Sequence, residues 1–195
     1  MTKSILTTTI CASLLLLNAC GSRQQTDSQH PDSTGITVKT SSSTSSEAPI
    51  TERLIELGLT SNSDWRGINL GDDFSEVKTA EKGENFESDA KHTGYTVDLK
   101  NLQTADNLYY QKDGKVFTID VDLFLNSRQA VTDYQKELTA YFSARYGTPK
   151  PGAGGFIWSG QAGKTVALKD VSKGKDFGLK VSISSAGGSA TASAK

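Results

Sequence analysis

The clearest pattern of apolar and polar positions in this chain lies between residues 117 and 125. Every second residue there is apolar, and the residues between them include a threonine and two aspartates: Phe117, Ile119, Val121, Leu123 and Leu125 alternate with Thr118, Asp120 and Asp122. A period of two is typical of a β-strand with one buried face and one hydrated face. The segment therefore predicts a central strand of an antiparallel sheet.

Five further segments have a shorter version of the same β-pattern: 95–99, 108–111, 156–158, 165–168 and 177–183. Asp113-Gly114 follows the segment 108–111, and this dipeptide is a strong signal for a tight hairpin turn. The turn Lys173–Asp176 connects the last two segments. Both connections are too short for the crossover that parallel strands need, so we expect the strands to pair antiparallel.

Helical spacing is strongest after the strand at 117–125. Apolar and aromatic residues recur there at intervals of three and four: Val131, Tyr134, Leu138, Tyr141 and Phe142. This spacing predicts a helix that begins at Asn126 or Ser127 and stops before Gly147. Two short helices are predicted upstream, one within 51–59 and one that starts at Phe74 and ends near Gly83. Asp73 and Glu76 have capping-box spacing at the start of the second.

The predicted order is helix, three strands, helix, three strands. Strands grouped behind each helix favour an α+β fold, in which an antiparallel β-sheet has its helices packed on one face. The repeated order is also consistent with a duplicated α-β-β-β unit. We expect this globular domain to span residues 50–184.

The first twenty residues have the layout of an export signal. Lys3 precedes an apolar run that ends in Leu14–Leu17, and Leu17-Asn18-Ala19-Cys20 closes it. That ending resembles the lipobox of bacterial lipoproteins, which implies that residues 1–19 are removed and that Cys20 carries a diacylglyceryl lipid. An ordinary signal peptide with an incidental cysteine is the alternative. The run is too short and too interrupted by threonine and serine to span a membrane.

Composition changes sharply on both sides of the domain. Residues 20–49 are rich in serine and threonine and poor in large apolar residues, so we expect a disordered tether. Residues 185–195 are small and polar and predict a disordered tail. The precursor's net charge is −1, and removal of Lys3 with the signal gives −2. This balance argues against nucleic-acid binding, which needs a basic excess. With Cys11 in the signal and Cys20 acylated, no thiol remains for catalysis or zinc.

Three patterns suggest chemistry, and each has a simpler explanation. Gly163-Lys164-Thr165 resembles the end of a phosphate-binding loop, but Trp158 stands where the motif needs glycine, so we interpret the segment as a glycine-rich hairpin. Asp98, Asp120 and Asp122 share one sheet face, where their spacing favours a solvated surface over a Ca²⁺ or Mg²⁺ site. His92 is interpreted as an exposed loop histidine. We therefore predict no catalytic residue, no metal site and no cofactor.

Aromatic residues are the remaining candidates for binding a partner: Trp65, Tyr109 and Tyr110. Tyr109 and Tyr110 point to opposite faces of a strand, so one of them should be exposed, whereas Trp158 is expected in the core. The segment 67–77, Gly-Ile-Asn-Leu-Gly-Asp-Asp-Phe-Ser-Glu-Val, resembles the start of small helix–meander envelope modules. These are the outer-membrane assembly lipoproteins of the BamE type and the β-lactamase-inhibitor-like repeats. The resemblance implies partner binding in the cell envelope.

These observations together predict a non-catalytic lipoprotein of the cell envelope, anchored to a membrane through the lipid on Cys20. Its domain would bind another envelope protein or a polymer. A hydrolase or a carrier of a small ligand is the main alternative, and a structural spacer is a third. The resemblance to bacterial lipoproteins also bears on location, because an aspartate after the cysteine retains these proteins in the inner membrane of enterobacteria. Gly21 stands there instead, which favours the outer membrane, on its periplasmic or surface face, in an organism that has one.

Overall fold

A computed structural model describes residues 50–160 and 163–185 of the chain. Its helices are α1 (Glu52–Glu56), α2 (Phe74–Ala80) and α3 (Arg128–Tyr146). Its strands are β1 (Glu84–Ser88), β2 (His92–Leu99), β3 (Gln103–Lys112), β4 (Lys115–Leu125), β5 (Lys150–Gly152), β6 (Gly155–Ser159), β7 (Thr165–Asp170) and β8 (Phe177–Ser184). The predicted signal, Cys20 and tether, and residues 186–195 of the predicted tail, lie outside the described residues.

The eight strands form one sheet in the order β1-β2-β3-β4-β8-β7-β6-β5, and every pair is antiparallel. The α+β class and the antiparallel pairing are confirmed. All six predicted strands are present, but the prediction missed β1 and β5. Four strands therefore follow α2 and four follow α3, so the predicted unit of one helix and three strands has the wrong number of strands.

The two faces of the sheet differ in the side chains they carry. We call the face that carries Tyr109, Ile119, Val121 and Val181 the core face; all four are fully buried. We call the opposite face, which carries Tyr110 and its neighbours on adjacent strands, the outer face. The alternation in β4 predicted this division, and Ile119 and Val121 lie on the buried side as expected.

Helix α3 has the ends that its sequence predicts. The Ser127 hydroxyl accepts a hydrogen bond from the backbone N–H of Ala130 at 3.1 Å, and Gly147 follows the helix with φ 82°. The helix contacts β4, β6, β7 and β8. The Phe142 ring lies 5.4 Å from the Trp158 ring, which confirms Trp158 as a core residue.

Helix α2 begins differently from its prediction. Asp73 stands at the N-cap position but makes no side-chain capping bond, so the predicted capping box is wrong. Its carboxylate instead accepts a hydrogen bond from Lys115 Nζ at 2.7 Å. The helix also ends at Ala80, three residues before Gly83, and Glu81 then turns into the protein interior.

The predicted turns are both present. Asp113 and Gly114 have positive φ angles of 54° and 77°, as expected for the tight hairpin between β3 and β4. Lys173 and Asp176 exchange backbone hydrogen bonds across the turn that leads into β8. Among the described residues, no helix is both long enough and apolar enough to cross a membrane.

The two outermost strands leave the edges of the sheet open. All five residues of β1 are exposed, and its pairing with β2 shifts between Asn85 and Glu87. The other edge, β5, has only three residues, and one of them is Pro151. Neither strand has an apolar alternation, which explains why the sequence pattern did not reveal them.

Candidate functional site

Two of the three aromatic candidates belong to the core. Trp65 and Tyr109 are fully buried. Trp65 Nε1 donates a hydrogen bond of 2.7 Å to Asn107, and the Tyr109 hydroxyl donates one to Glu81. Neither ring is available to a partner, which corrects their selection as candidates. Tyr110 lies on the outer face and remains partly exposed, so it is the candidate that the structure retains.

Tyr110 stands beside a histidine that the sequence suggested was an exposed loop residue. His92 is instead the first residue of β2, and its ring stacks on that of Tyr110 with 5.4 Å between centroids. Its Nε2 lies 3.0 Å from a Glu87 carboxylate oxygen, and its Nδ1 lies 3.0 Å from an Asp89 oxygen. Contacts on both ring nitrogens and one ring face hold His92 in place against Tyr110.

Asp120 lies near the centre of the outer face, and only 2% of it is exposed. The prediction that this aspartate belongs to a solvated surface is therefore wrong. The Ser182 hydroxyl donates a hydrogen bond of 2.6 Å to its carboxylate, and Lys180 Nζ lies 4.0 Å away. Burial raises the pKa of Asp120, partly offset by the serine and the lysine. Burial, followed by the nearby Asp120 charge, also raises the pKa of Tyr110.

The outer face also carries exposed apolar side chains around Asp120, Ser182 and Lys180. The Phe86 ring lies over Gly94 of β2, and Ile157 lies on the same face in β6. Phe124 projects from the outer face near the end of β4 and is 52% exposed. Large aromatic residues beside hydrogen-bonding groups are the residues that dominate binding energy in protein interfaces. The outer face has this composition.

Charge is unequally distributed over the outer face. The half formed by β1–β4 carries six carboxylates: Glu84, Glu87, Asp98, Asp106, Asp120 and Asp122. The half formed by β5–β8 carries three lysines: Lys150, Lys169 and Lys180. Lys180 Nζ lies 3.2 Å from both oxygens of Asp122 at the boundary between the halves. Within residues 50–160 and 163–185, no group of three histidine, cysteine or acidic side chains is arranged to hold a metal ion.

A concavity with a volume of about 480 Å³ lies between α1, α3 and the turn after β2. It is lined by four carboxylates, the groups that a glycoside hydrolase uses for catalysis. Glu137 accepts hydrogen bonds from Thr51 and Arg53, while Glu52 is bonded to Lys100 Nζ at 2.5 Å. The hydrogen bond from Lys100 lowers the pKa of Glu52, the opposite of what a general acid needs.

The glycine-rich segment that resembles a phosphate loop is used structurally. Lys164 Nζ donates a hydrogen bond of 2.6 Å to Asp64, a carboxylate that is 2% exposed. Asp64 also accepts from the backbone N–H of Leu70 at 2.8 Å. Strand β7 begins at Thr165, as the hairpin interpretation predicts, while Gln161 and Ala162 lie outside the described residues. The lysine thus fixes the loop that precedes α2.

The raised pKa of Asp120 provides a test of its burial on the outer face. Because its protonated form is favoured in the folded protein, the fold gains stability as pH falls through its raised pKa towards the ordinary value of 3.8. Asp120→Asn imitates the neutral form, so we expect it to raise the free energy of unfolding at neutral pH. Urea unfolding at several pH values should show this advantage shrinking in acid. A loss of stability that is independent of pH contradicts the prediction, and Asp98→Asn, on the same face but exposed, is the control.

Comparisons with protein-family models, with curated proteins and with solved structures found no match to this chain.

Proposed function

We propose that this protein is a lipid-anchored, non-catalytic binding module of the cell envelope. Residues 1–19 would be the signal peptide, Cys20 the lipidated residue and 20–49 the tether of the domain. The proposal rests on the Leu17-Asn18-Ala19-Cys20 motif for the anchor and on the outer face for binding. Its location would be the outer membrane, on the periplasmic or surface side, in an organism that has one.

We further propose that all three helices lie on the core face, which leaves the outer face free. Three contacts support this arrangement. Phe142 of α3 packs on Trp158, Glu81 at the end of α2 accepts a hydrogen bond from Tyr109, and α1 contacts α3 through Arg53 and Glu137. The order of α2 with β1–β4 and then α3 with β5–β8 supports a duplicated helix-and-meander unit.

The single observation that carries the binding proposal is the group around Tyr110. A partly exposed tyrosine, stacked on His92, lies beside the buried carboxylate Asp120, and the exposed Phe86 ring lies over Gly94 of the neighbouring strand β2. Rigid aromatic rings lose little conformational entropy on binding, and polar groups at their edges provide specificity. This arrangement suits a protein or a polymer with apolar and hydrogen-bonding groups, because the outer face presents aromatic rings and polar side chains over a broad area.

The alternative, a hydrolase or a carrier of a small ligand, would use the cleft between α1 and α3. Its volume is sufficient for a small molecule. Its carboxylates, however, are engaged by Arg53, Lys100 and Thr51. A ligand would therefore have to displace existing ion pairs, and we favour the outer face.

The proposed function is tested by purifying the lipidated chain from detergent-solubilised membranes and identifying what is recovered with it. We expect one or two stoichiometric partners. Tyr110→Ala should weaken their binding by roughly 30-fold, the effect of a hot-spot residue worth about 2 kcal/mol. Ile55→Ala removes an exposed apolar side chain from α1, outside the outer face, and should leave binding unchanged.

Three outcomes would overturn parts of this proposal. If Tyr110→Ala recovers the same partner with undiminished affinity, the group around Tyr110 is not the binding site. A chain that is recovered alone, and that turns over an envelope substrate, supports the alternative. If the Cys20→Ala chain stays in the membrane fraction, the anchor is wrong.

A further inference from the structure

Leu102 is the most exposed large apolar residue described, with 99% of its surface accessible. It lies in the short 3-10 turn Lys100–Leu102 between β2 and β3. Asn101 and Leu102 have positive φ angles of 60° and 57°. Asparagine tolerates this region, but a bulky apolar residue is an outlier there, and such outliers concentrate at functional positions. A leucine that is both exposed and in an unfavourable backbone conformation calls for a role.

The turn is held firmly by its neighbours. Asn126 Nδ2 donates a hydrogen bond of 2.8 Å to the Asn101 carbonyl, and Gln103 Nε2 donates one of 3.1 Å to the Asn126 side chain. The backbone N–H of Lys100 donates to Glu56 of α1. These contacts fix the backbone on both sides of Leu102, so its side chain is presented outward at a defined place.

The described chain begins at the same end of the domain. Helix α1 begins at Glu52, two residues after the described chain starts, and Glu52 is bonded to Lys100 Nζ at 2.5 Å. The expected tether therefore enters the domain beside the Leu102 turn. Thirty residues, 20–49, would connect the lipid on Cys20 to this end of the domain. An anchor at Cys20 would keep this end of the domain close to the membrane.

Other exposed apolar and basic residues lie at this end of the sheet. Ile55 is on α1, and Val171 lies against Gly178, the cross-strand partner of Phe124. Lys173 and Lys175 are exposed in the turn before β8, whereas Lys100 is paired with Glu52. Apolar side chains beside lysines suit the boundary between lipid headgroups and acyl chains, where the ammonium groups reach anionic phosphates.

We propose that this end of the domain rests on a lipid bilayer and that Leu102 enters its headgroup region. The inference rests on the proposed lipid anchor, because one leucine and a few lysines bind a membrane only weakly by themselves. It sets the orientation of the domain: the strands point away from the bilayer, and the outer face is turned sideways, accessible to a partner. The opposite turn, at Asp113, would lie farthest from the lipid.

The test uses the mature lipidated chain in vesicles of phosphatidylcholine and phosphatidylglycerol that contain a nitroxide-labelled lipid. The acylated Cys20 leaves no other cysteine after signal removal, so Leu102→Cys can be labelled selectively with a fluorophore. Asp113→Cys is the matched control, since it also lies in an exposed turn with positive φ, at the other end of β3. A ten-residue strand separates the two turns by roughly 30 Å.

We expect the lipid quencher to reduce fluorescence several-fold more at position 102 than at position 113. A second label, at Ile55→Cys on α1, reports on the same end of the domain without modifying the turn. Its quenching should fall when Leu102→Gly is added, a change that suits the positive φ and keeps the fold. Equal quenching at both ends, or none at either, overturns the proposal, as does protection of position 102 by a bound protein.

The two proposals fail in different ways. If the chain does not partition with the vesicles, the anchor itself is wrong, and the proposed function fails with it. If the chain partitions but position 102 is not preferentially quenched, only the orientation is wrong. Mass measurement of the amino-terminal peptide reports acylation independently of the fluorescence.

Discussion

Raising the pH from 10 to about 12 should unfold the domain, because buried tyrosines must ionise. Burial raises the pKa of Tyr134 and of Tyr146 from 10.0 to about 12. Above pH 10 the unfolded chain releases these protons while the folded protein retains them, so stability is complete below pH 10 and is lost as pH rises towards 12. Each residue contributes up to about 3 kcal/mol, less for the partly exposed Tyr146. Together they approach the whole stability of an ordinary domain.

The measurement follows tyrosinate absorbance and circular dichroism together during an alkaline titration. Ionisation of the last tyrosines should coincide with loss of secondary structure. Tyr134→Phe is the informative variant: it keeps the ring beneath the Arg53 guanidinium and removes only the ionisable hydroxyl. We expect its unfolding midpoint to move to higher pH. An unchanged midpoint would mean that another group controls alkaline unfolding.

Glu81→Ala should cost about 3–5 kcal/mol of unfolding free energy, the largest effect we expect of a single substitution. The Glu81 side chain has no exposed surface, and both of its oxygens lie 3.0 Å from Arg66 Nε. It also accepts the hydrogen bond from Tyr109, and the Arg66 side chain is only 12% exposed. Removing the carboxylate leaves a guanidinium and a phenol without their partner in a low-dielectric surrounding.

The control for this substitution is Glu84→Ala. Glu84 lies three residues away on the exposed strand β1, and its removal should change stability by no more than about 0.5 kcal/mol. Replacing both charges, in Arg66→Met with Glu81→Leu, should recover much of the loss because no isolated charge remains buried. Urea unfolding of the wild type, Arg66→Met, Glu81→Leu and the double variant gives the coupling energy of the pair. Equal effects of Glu81→Ala and Glu84→Ala would show that the pair contributes little.

Sequence periodicity predicted the elements whose apolar side chains lie on one face. Strand β4 and helix α3 were recognised with nearly their observed bounds, because each has one face packed in the core and one outside it. The edge strands β1 and β5 have no buried face, so no alternation marks them. Their pairing depends on backbone hydrogen bonds to β2 and β6, which no side-chain pattern reports.

The site was less predictable because burial on the outer face depends on neighbouring strands. Asp120 looks like any polar residue of an alternating strand, but its side chain lies under those of Lys180 and Ser182 from β8, 60 or more residues away in sequence. Glu81 likewise gains its partners from a preceding loop and from β3. The signal that could have found Leu102 is local: a leucine after Lys-Asn in a tight connection between two strands.

The two edge strands, β1 and β5, determine whether neighbouring molecules can pair their sheets when they are crowded together. A membrane anchor of the kind we propose concentrates protein in two dimensions, where open strands of neighbouring molecules meet often. Strand β5 offers a short edge that contains Pro151, which has no N–H to donate, while β1 is interrupted and carries Glu84 and Glu87. Such features prevent continuous edge-to-edge pairing of sheets. High surface density should therefore leave each outer face separately accessible rather than drive the chains into fibrous aggregates.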